Sequence, residues 1–282
     1  MLYIVATPIG NLAEMTYRAV EVLKGVAAVY CEDTRHSRIL LEYYGIKKPL
    51  VSCQKFSERE RTAGIVARLA AGEDLALISD AGMPLVSDPG GILVSEVVAA
   101  GLPYTVVSGP CAAVNAAVLS GFDLSGFLFA GFLPEKTVDR RRLARRYAAL
   151  PCTLLFYISR HSLHKDLAFL HEELGPRRAA LAREISKLHE EVVRFCLGEP
   201  PEGLTVRGEF VLAVEGAAAQ TADFEGLTIE AHLAVYVSSG LEKTEAMKRV
   251  AQERGIPKSE VYRAVLANTS DKNRKTSKSD KK

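Results

Sequence analysis

Leu75-Ala76-Leu77-Ile78-Ser79-Asp80-Ala81-Gly82-Met83-Pro84-Leu85-Val86-Ser87-Asp88-Pro89-Gly90-Gly91 is the stretch on which the fold turns. Its first four residues are all apolar, as in a strand covered on both faces, and such strands belong to parallel sheets flanked by helices. A loop of Gly, Pro, Asp and Ser follows, and a helical pattern resumes over 92–100. In an open parallel sheet, ligands bind beyond the C-terminal ends of the strands. The loop therefore stands where a site is expected.

The same unit recurs outward in both directions. Strands are predicted over 2–6, 27–30 and 104–107, with helices over 17–23, 37–44 and 58–71 between them. Gly109-Pro110 starts a further helix over 112–119, which stops near Gly121. Each strand end carries a loop of small and polar residues: 6–12, 31–35, 79–91 and 108–113. Four such loops form a rim where backbone approaches a ligand closely. Taken singly they are ordinary turns, with Asp33, Asp80 and Asp88 as helix caps and Asp33 to Arg35 a local ion pair.

A second lobe begins near Phe127. It reads as a strand over 127–131, an arginine-rich helix over 138–149, a strand over 153–157 and a helix over 163–174. Strands over 179–182, 192–196 and 210–214 follow, which suggests a mixed sheet with antiparallel edges. Residues 216–225 read as a linker. Beyond it, Thr244 is placed to cap a helix over 245–254, Gly255 stops it, and Pro257-Lys258-Ser259 leads into a helix over 260–266. Two helices joined by a glycine turn make a helix-turn-helix pattern. The expected organisation is an α/β lobe at 1–120, a second at 121–225, and a small helical unit with a basic tail at 229–282.

The 282 residues are 48% hydrophobic and 25% charged, as in a globular protein. No apolar run reaches the roughly 18 residues of a membrane span. No basic segment precedes the first strand, so no signal peptide is read and a cytoplasmic protein is expected. Cys31, Cys53, Cys111, Cys152 and Cys196 lack CxxC spacing and read as reduced thiols. Net charge is +2, but residues 269–282 alone carry +4, and Arg140, Arg141, Arg142, Arg145 and Arg146 form a second basic run. Either meets phosphates or is a solvated face. The chain has no P-loop, no GxGxxG after its first strand, no HExxH and no GxSxG. His161 and His164 lie three apart without a third ligand, so no metal is expected.

Taken in order, Thr7-Pro8-Ile9-Gly10-Asn11-Leu12, Glu32-Asp33-Thr34-Arg35, Ser79-Asp80-Ala81-Gly82, Ser87-Asp88-Pro89-Gly90, Gly109-Pro110, Gly131-Phe132-Leu133-Pro134 and Arg183-Glu184-Ile185-Ser186-Lys187 resemble one family. It is the small-subunit ribosomal RNA cytidine 2'-O-methyltransferases, within the tetrapyrrole-methylase superfamily. The resemblance spans essentially the whole chain. It departs at Met83, where that family usually has Thr, and at Ser186, where Thr is frequent.

The resemblance implies the two-lobed tetrapyrrole-methylase fold, with S-adenosylmethionine as methyl donor in the cleft between the lobes and no metal. It implies contacts to the donor from Pro8, Ile9 and Gly10, from Asp80, Ala81, Gly82 and Met83, from Ala112 and Ala113, and from Tyr157. It also implies 16S ribosomal RNA or the small ribosomal subunit as substrate, a homodimer and no membrane. A ribose hydroxyl is a poor acid, so a proton acceptor is expected, with Glu32, Asp33, Glu184 and Glu190 as candidates. Arg35, Arg183 and Lys187 are candidates to hold a phosphate or a developing alkoxide. Two rival readings stand beside this one: methylation of a tetrapyrrole, and a DNA-binding regulator acting through the C-terminal unit.

Overall fold

The apolar runs of the first lobe form a wholly parallel sheet of β1 (Leu2–Val5), β2 (Ala28–Cys31), β3 (Leu50–Ser52), β4 (Leu75–Leu77) and β5 (Tyr104–Val107), in the order β3-β2-β4-β1-β5. The structure is a computed structural model and describes residues 1–53, 58–218, 226–238 and 240–265. On one face Leu23 of α1 (Tyr17–Gly25) and Leu41 of α2 (Thr34–Tyr43) pack on Val5, Val29 and Ala76. On the other, Ile65 and Leu69 of α3 (Glu58–Ala70) and Leu93 and Val97 of α4 (Gly91–Ala99) pack on Leu2, Leu75 and Leu77. Each such side chain contributes roughly 1.5–3 kcal/mol by leaving water. β3 is absent from the sequence reading. It has three half-buried residues behind Pro49 at the sheet edge, too short and too exposed for an apolar signal.

β1 and β4 are neighbours in the middle of this sheet, so the loops that follow them lie side by side. Thr7 N–H donates to Gly82 O at 2.9 Å and Gly82 N–H to Thr7 O at 3.1 Å. The buried Thr7 hydroxyl donates to Ser79 O at 3.1 Å. The two loops thus form one clamped ledge.

The second sheet holds β6 (Phe127–Phe132), β7 (Thr153–Ile158), β8 (Arg178–Arg183), β9 (Glu191–Cys196) and β10 (Phe210–Val214), in the order β6-β7-β10-β8-β9. Only one of its edges, β9, is antiparallel. The other edge is the parallel pair β6 and β7, because α6 (Thr137–Tyr147) carries the chain back between them. α5 (Ala112–Ser120) covers one face through Ala113 and Ala117, small enough to reach Leu155, Ala180 and Ala213. α6 and α7 (Leu163–Leu174) cover the other, with Phe156, Leu163 and Leu170 at its centre.

The arginine run on α6, which the sequence left as a phosphate patch or a solvated face, is largely taken up in ion pairs. Arg140 is buried and pairs with buried Asp166 at 2.6 Å, where the Ser162 hydroxyl also donates, and its guanidinium lies over Phe169. Arg141 pairs with Glu172 and Glu173, Arg145 with Glu173, and Arg142 with Asp139. Most of the run ties α6 to α7 or to its own helix.

The chain divides into two compact units, 1–217 and 218–282. The start of the expected linker is part of the first: a Cβ at Gly216 would stand 2.5 Å from Cys152 N, and Ala217 N–H donates to Leu150 O at 2.8 Å. Its remainder, 219–225, lies outside the described residues, as do the basic tail and residue 266 of the last predicted helix. The second unit packs α8 (Ile229–Ser238), α9 (Lys243–Arg254) and a helix over 258–265 around Leu233, Val250 and Val261. α8 is a helix that the sequence reading left unmarked. α9 is capped by Glu242 and not by Thr244, because the Glu242 carboxylate reaches the Thr244 N–H at 2.9 Å. Gly255 ends it at φ 62°, the left-handed turn that glycine adopts freely.

Candidate active site

Two adjoining cavities open along the clamped ledge and the second sheet. The larger, about 620 Å³, is lined by Ile9, Ala81, Gly82, Met83, Asp88, Ala112, Phe132, Tyr157, Glu184, Lys187 and Glu209 among others. The smaller, about 260 Å³, is lined by Thr7, Pro8, Ile9, Gly10, His36, Asp80, Ala81, Lys187 and Glu209 among others. Of the residues named for the methyl donor, only Ala113 reaches neither. Its methyl is committed to the core under α5, so its backbone alone is available, facing the Tyr157 hydroxyl. Phe129 and Phe132 meet the Tyr157 ring edge-on at 4.8 and 5.3 Å and hold it in the cavity wall. Burial pushes the Tyr157 hydroxyl up to about 12, so it stays protonated at neutral pH.

Backbone geometry here needs particular residues. Gly82, at φ 81°, has Ile9 Cγ2 3.2 Å from where a Cβ would stand. Gly10, at φ 148°, lies under the Lys187 stem, whose Cε would be 2.5 Å from such a Cβ. Lys187 thereby crosses from the second lobe onto the ledge of the first. Among the described residues, four that are not glycine also have left-handed backbones: Leu85, Ser87, Glu184 and Ser186. All four belong to the two loops that flank the larger cavity, where strain of this kind concentrates in functional sites.

The catalytic candidates separate into three groups. Glu184 and Lys187 line the larger cavity together, and Lys187 Nζ stands 2.9 Å from both Glu184 and Glu209. Burial pushes the Glu184 carboxyl up, but the Lys187 ammonium and the Glu209 N–H outweigh it and hold it below its usual range. Burial pulls Lys187 down, yet Glu209 and Glu184 leave it above its ordinary value. Glu32 lines neither cavity; burial, then the charge of Asp80, raises its carboxyl. Asp33 caps α2, accepting the Arg35 N–H at 2.8 Å, and pairs with the exposed Arg35 guanidinium at 2.7 Å, which holds it at about 2. Glu190 accepts the Ser186 N–H at 2.6 Å and closes an exposed loop. Asp33, Arg35 and Glu190 therefore shape local turns outside the cavities. Arg183 pairs with Glu191 at 2.9 Å.

Sequence reasoning passed over Asp88, Glu209 and His36. Asp88 was expected to cap α4, but Gly90 holds that position, and the Asp88 side chain lines the larger cavity instead. The signal was available: Asp88 lies in the same strand-end loop as Asp80. Asp80 itself joins two strand ends, accepting the Asp33 N–H at 3.1 Å. Asp80→Ala is expected to weaken binding of S-adenosylmethionine by about 1.5–3 kcal/mol, the scale of a hydrogen bond to a charged group. Isothermal titration measures it, and unchanged affinity removes Asp80 from the binding site.

Residues 1–201 match the family model of the Tetrapyrrole (Corrin/Porphyrin) Methylases. The chain is 37% identical over 272 residues to Ribosomal RNA small subunit methyltransferase I of Bacillus subtilis, spanning 94% of this chain and 93% of the relative. It is 40% identical over 275 residues to the protein of that name from Pasteurella multocida, spanning 94% and 96%. Among solved structures, uroporphyrin-III-C-methyltransferase from Thermus thermophilus superposes with a TM-score of 0.54 at 24% identity, over 76% of this chain and 93% of its own, a likeness of fold.

Proposed function

Because the chain belongs to the tetrapyrrole methylase family and, within it, to the ribosomal RNA small subunit methyltransferase I group, we propose that it methylates the ribose 2'-hydroxyl of a cytidine in the decoding centre of 16S ribosomal RNA. The observation that carries this reading is the pair of adjoining cavities on the clamped ledge. Their residues suit S-adenosylmethionine. Gly10 and Gly82 leave backbone open where side chains would intrude, Ile9 and Met83 offer an apolar surface to adenine, and Asp80 offers a carboxylate to an ammonium or to ribose hydroxyls. The first turn of α5, whose N-cap Cys111 makes no side-chain bond, has N–H groups for a carboxylate. When bound, the donor supplies an electrophilic methyl group. The chain's own part is to orient the ribose hydroxyl, an alignment that reaches roughly 7–11 kcal/mol in favourable systems, and to keep water out behind Phe132 and Tyr157.

The C-terminal unit is read as the RNA-docking element, through exposed Lys243, Lys258 and Arg263. A homodimer is proposed as well, supported by the exposed apolar side chains Tyr104 and Val106 on β5 and Val114 and Val118 on α5. The place of action is taken to be the cytoplasm, where ribosomes are; among the described residues no helix is long and apolar enough to cross a membrane.

The test is mass mapping of 16S ribosomal RNA from a strain lacking the gene. A cytidine ribose methyl group is expected to be missing and to return when the purified protein and S-adenosylmethionine act on isolated small subunits. Unaltered RNA, or methyl transfer to a porphyrinoid in place of RNA, overturns the reading.

A further inference from the structure

We propose that Asp88 is the proton acceptor for the hydroxyl that is methylated, an inference that rests on reading the cleft as a ribose methylation site. Three carboxylates line the larger cavity: Asp88, Glu184 and Glu209. Glu184 and Glu209 share the Lys187 ammonium, so their charge is already met within the wall. Among the described residues no Lys, Arg or His forms an ion pair with Asp88. α4 does not use it either, since Gly90 is the cap residue. The side chain is thus left to the cavity.

Its surroundings set its proton affinity. Asp88 is half-buried, and it faces the acids Glu32 at the end of β2 and Asp80 after β4. Tyr157 stands opposite on β7, and the Ser79 hydroxyl, which donates to Gly82 O at 3.2 Å, lies near Asp88. Burial first, then the charge of Glu32, outweigh the influence of Ser79 and push the carboxyl up to about 6. A base whose proton affinity lies near the working pH is the most effective one, because it is both deprotonated and able to take a proton. Its position is fixed by the backbone: Ser87 beside it is left-handed, and its hydroxyl would be 3.3 Å from a Cβ at Gly131 on β6. As the bond from ribose O2' to the methyl carbon forms and the carbon–sulfur bond breaks with its electron pair staying on sulfur, the O2' proton passes to an Asp88 carboxylate oxygen. It leaves to solvent after turnover.

Asp88→Asn keeps the shape and removes the base. Single-turnover methyl transfer to small subunits is expected to fall about a hundredfold or more, while titration calorimetry gives an unchanged affinity for S-adenosylmethionine. The wild-type rate should rise with pH through an inflection near 6, and the variant should lack it. A second readout needs no substrate. An acid whose proton affinity is raised on folding keeps a proton that the unfolded chain releases, so its contribution to stability is full below pH 3.8 and declines as pH rises to about 6. In urea unfolding of the full chain, the variant should therefore gain on the wild type between pH 4 and pH 7. A wild-type rate in the variant, a rate loss matched by lost affinity, or a stability difference flat with pH overturns the proposal. A wild type that methylates no RNA is a failure of the substrate reading instead, and the stability comparison then decides for or against Asp88 by itself.

Discussion

A chain ended at Ala217 is expected to bind S-adenosylmethionine as the full chain does and to lose methyl transfer to small ribosomal subunits, on the order of a hundredfold at physiological salt. Both sheets and both cavities lie within residues 1–217. The cut falls after Gly216 and Ala217, which are packed on residues 150–152, so the removed chain begins where the second unit does. That unit carries exposed Lys243, Lys258 and Arg263, and residues 269–282 add a net +4 outside the described residues. Lys248 and Arg249 contribute less, because they are paired with Glu245 and Glu253. Arg254 is turned inward to His232 and to the carbonyls of Leu227 and Thr228. Each lost phosphate contact lowers the salt slope by about one. Methyl incorporation at two salt concentrations measures both effects, and a truncated protein as active as the full chain at both salts removes RNA docking from this unit.

The largest loss of stability is expected from Asp166→Ala. It leaves the Arg140 guanidinium buried without its carboxylate, and breaking such a pair typically costs about 3–5 kcal/mol. Set against the 5–15 kcal/mol of an ordinary folded domain, this is enough to threaten folding at growth temperature. The double replacement Asp166→Ala with Arg140→Met should recover most of it, since no buried charge remains. Urea unfolding of the three variants decides. A single mutant within 1 kcal/mol of the wild type, or a double mutant no better than the single one, shows that the pair does not hold α6 to α7 as described.

The parallel lobe was legible because its strands are continuous apolar runs followed by loops whose composition differs sharply from theirs. The strand-end loops that hold Pro8 to Gly10 and Asp80 to Met83 stood out for the same reason, while their assignment to the methyl donor came from the family resemblance. What escaped was what depends on pairing across the fold. The arginines of α6 read as a basic patch until Glu172, Glu173 and Asp166 on α7 are seen beside them. Asp88 and Thr244 were misread as caps because one rule of capping fits several neighbouring residues, and the choice is made by where the backbone turns. Ala113 follows the start of α5 as a ligand contact would, but a helix buries every third or fourth side chain, and Ala113 falls on the buried face.

Leu85, Ser87, Glu184 and Ser186 give this protein a recognisable response to selection. A side chain in a left-handed backbone costs roughly 1–2 kcal/mol relative to glycine, so Ser87 and Ser186 are positions where a glycine codon raises heat tolerance, whereas Leu85 packs on the core and Glu184 is tied to Lys187 and to the Glu209 N–H. A library passed through a thermal screen alone should accumulate glycine at the two serines and arrive at hardier proteins with slacker cleft walls. A lineage under pressure for methyl transfer to ribosomal RNA should keep the side chains and accept the lower melting temperature. Sequencing both pools would separate the residues that hold this molecule together from the residues that make it useful.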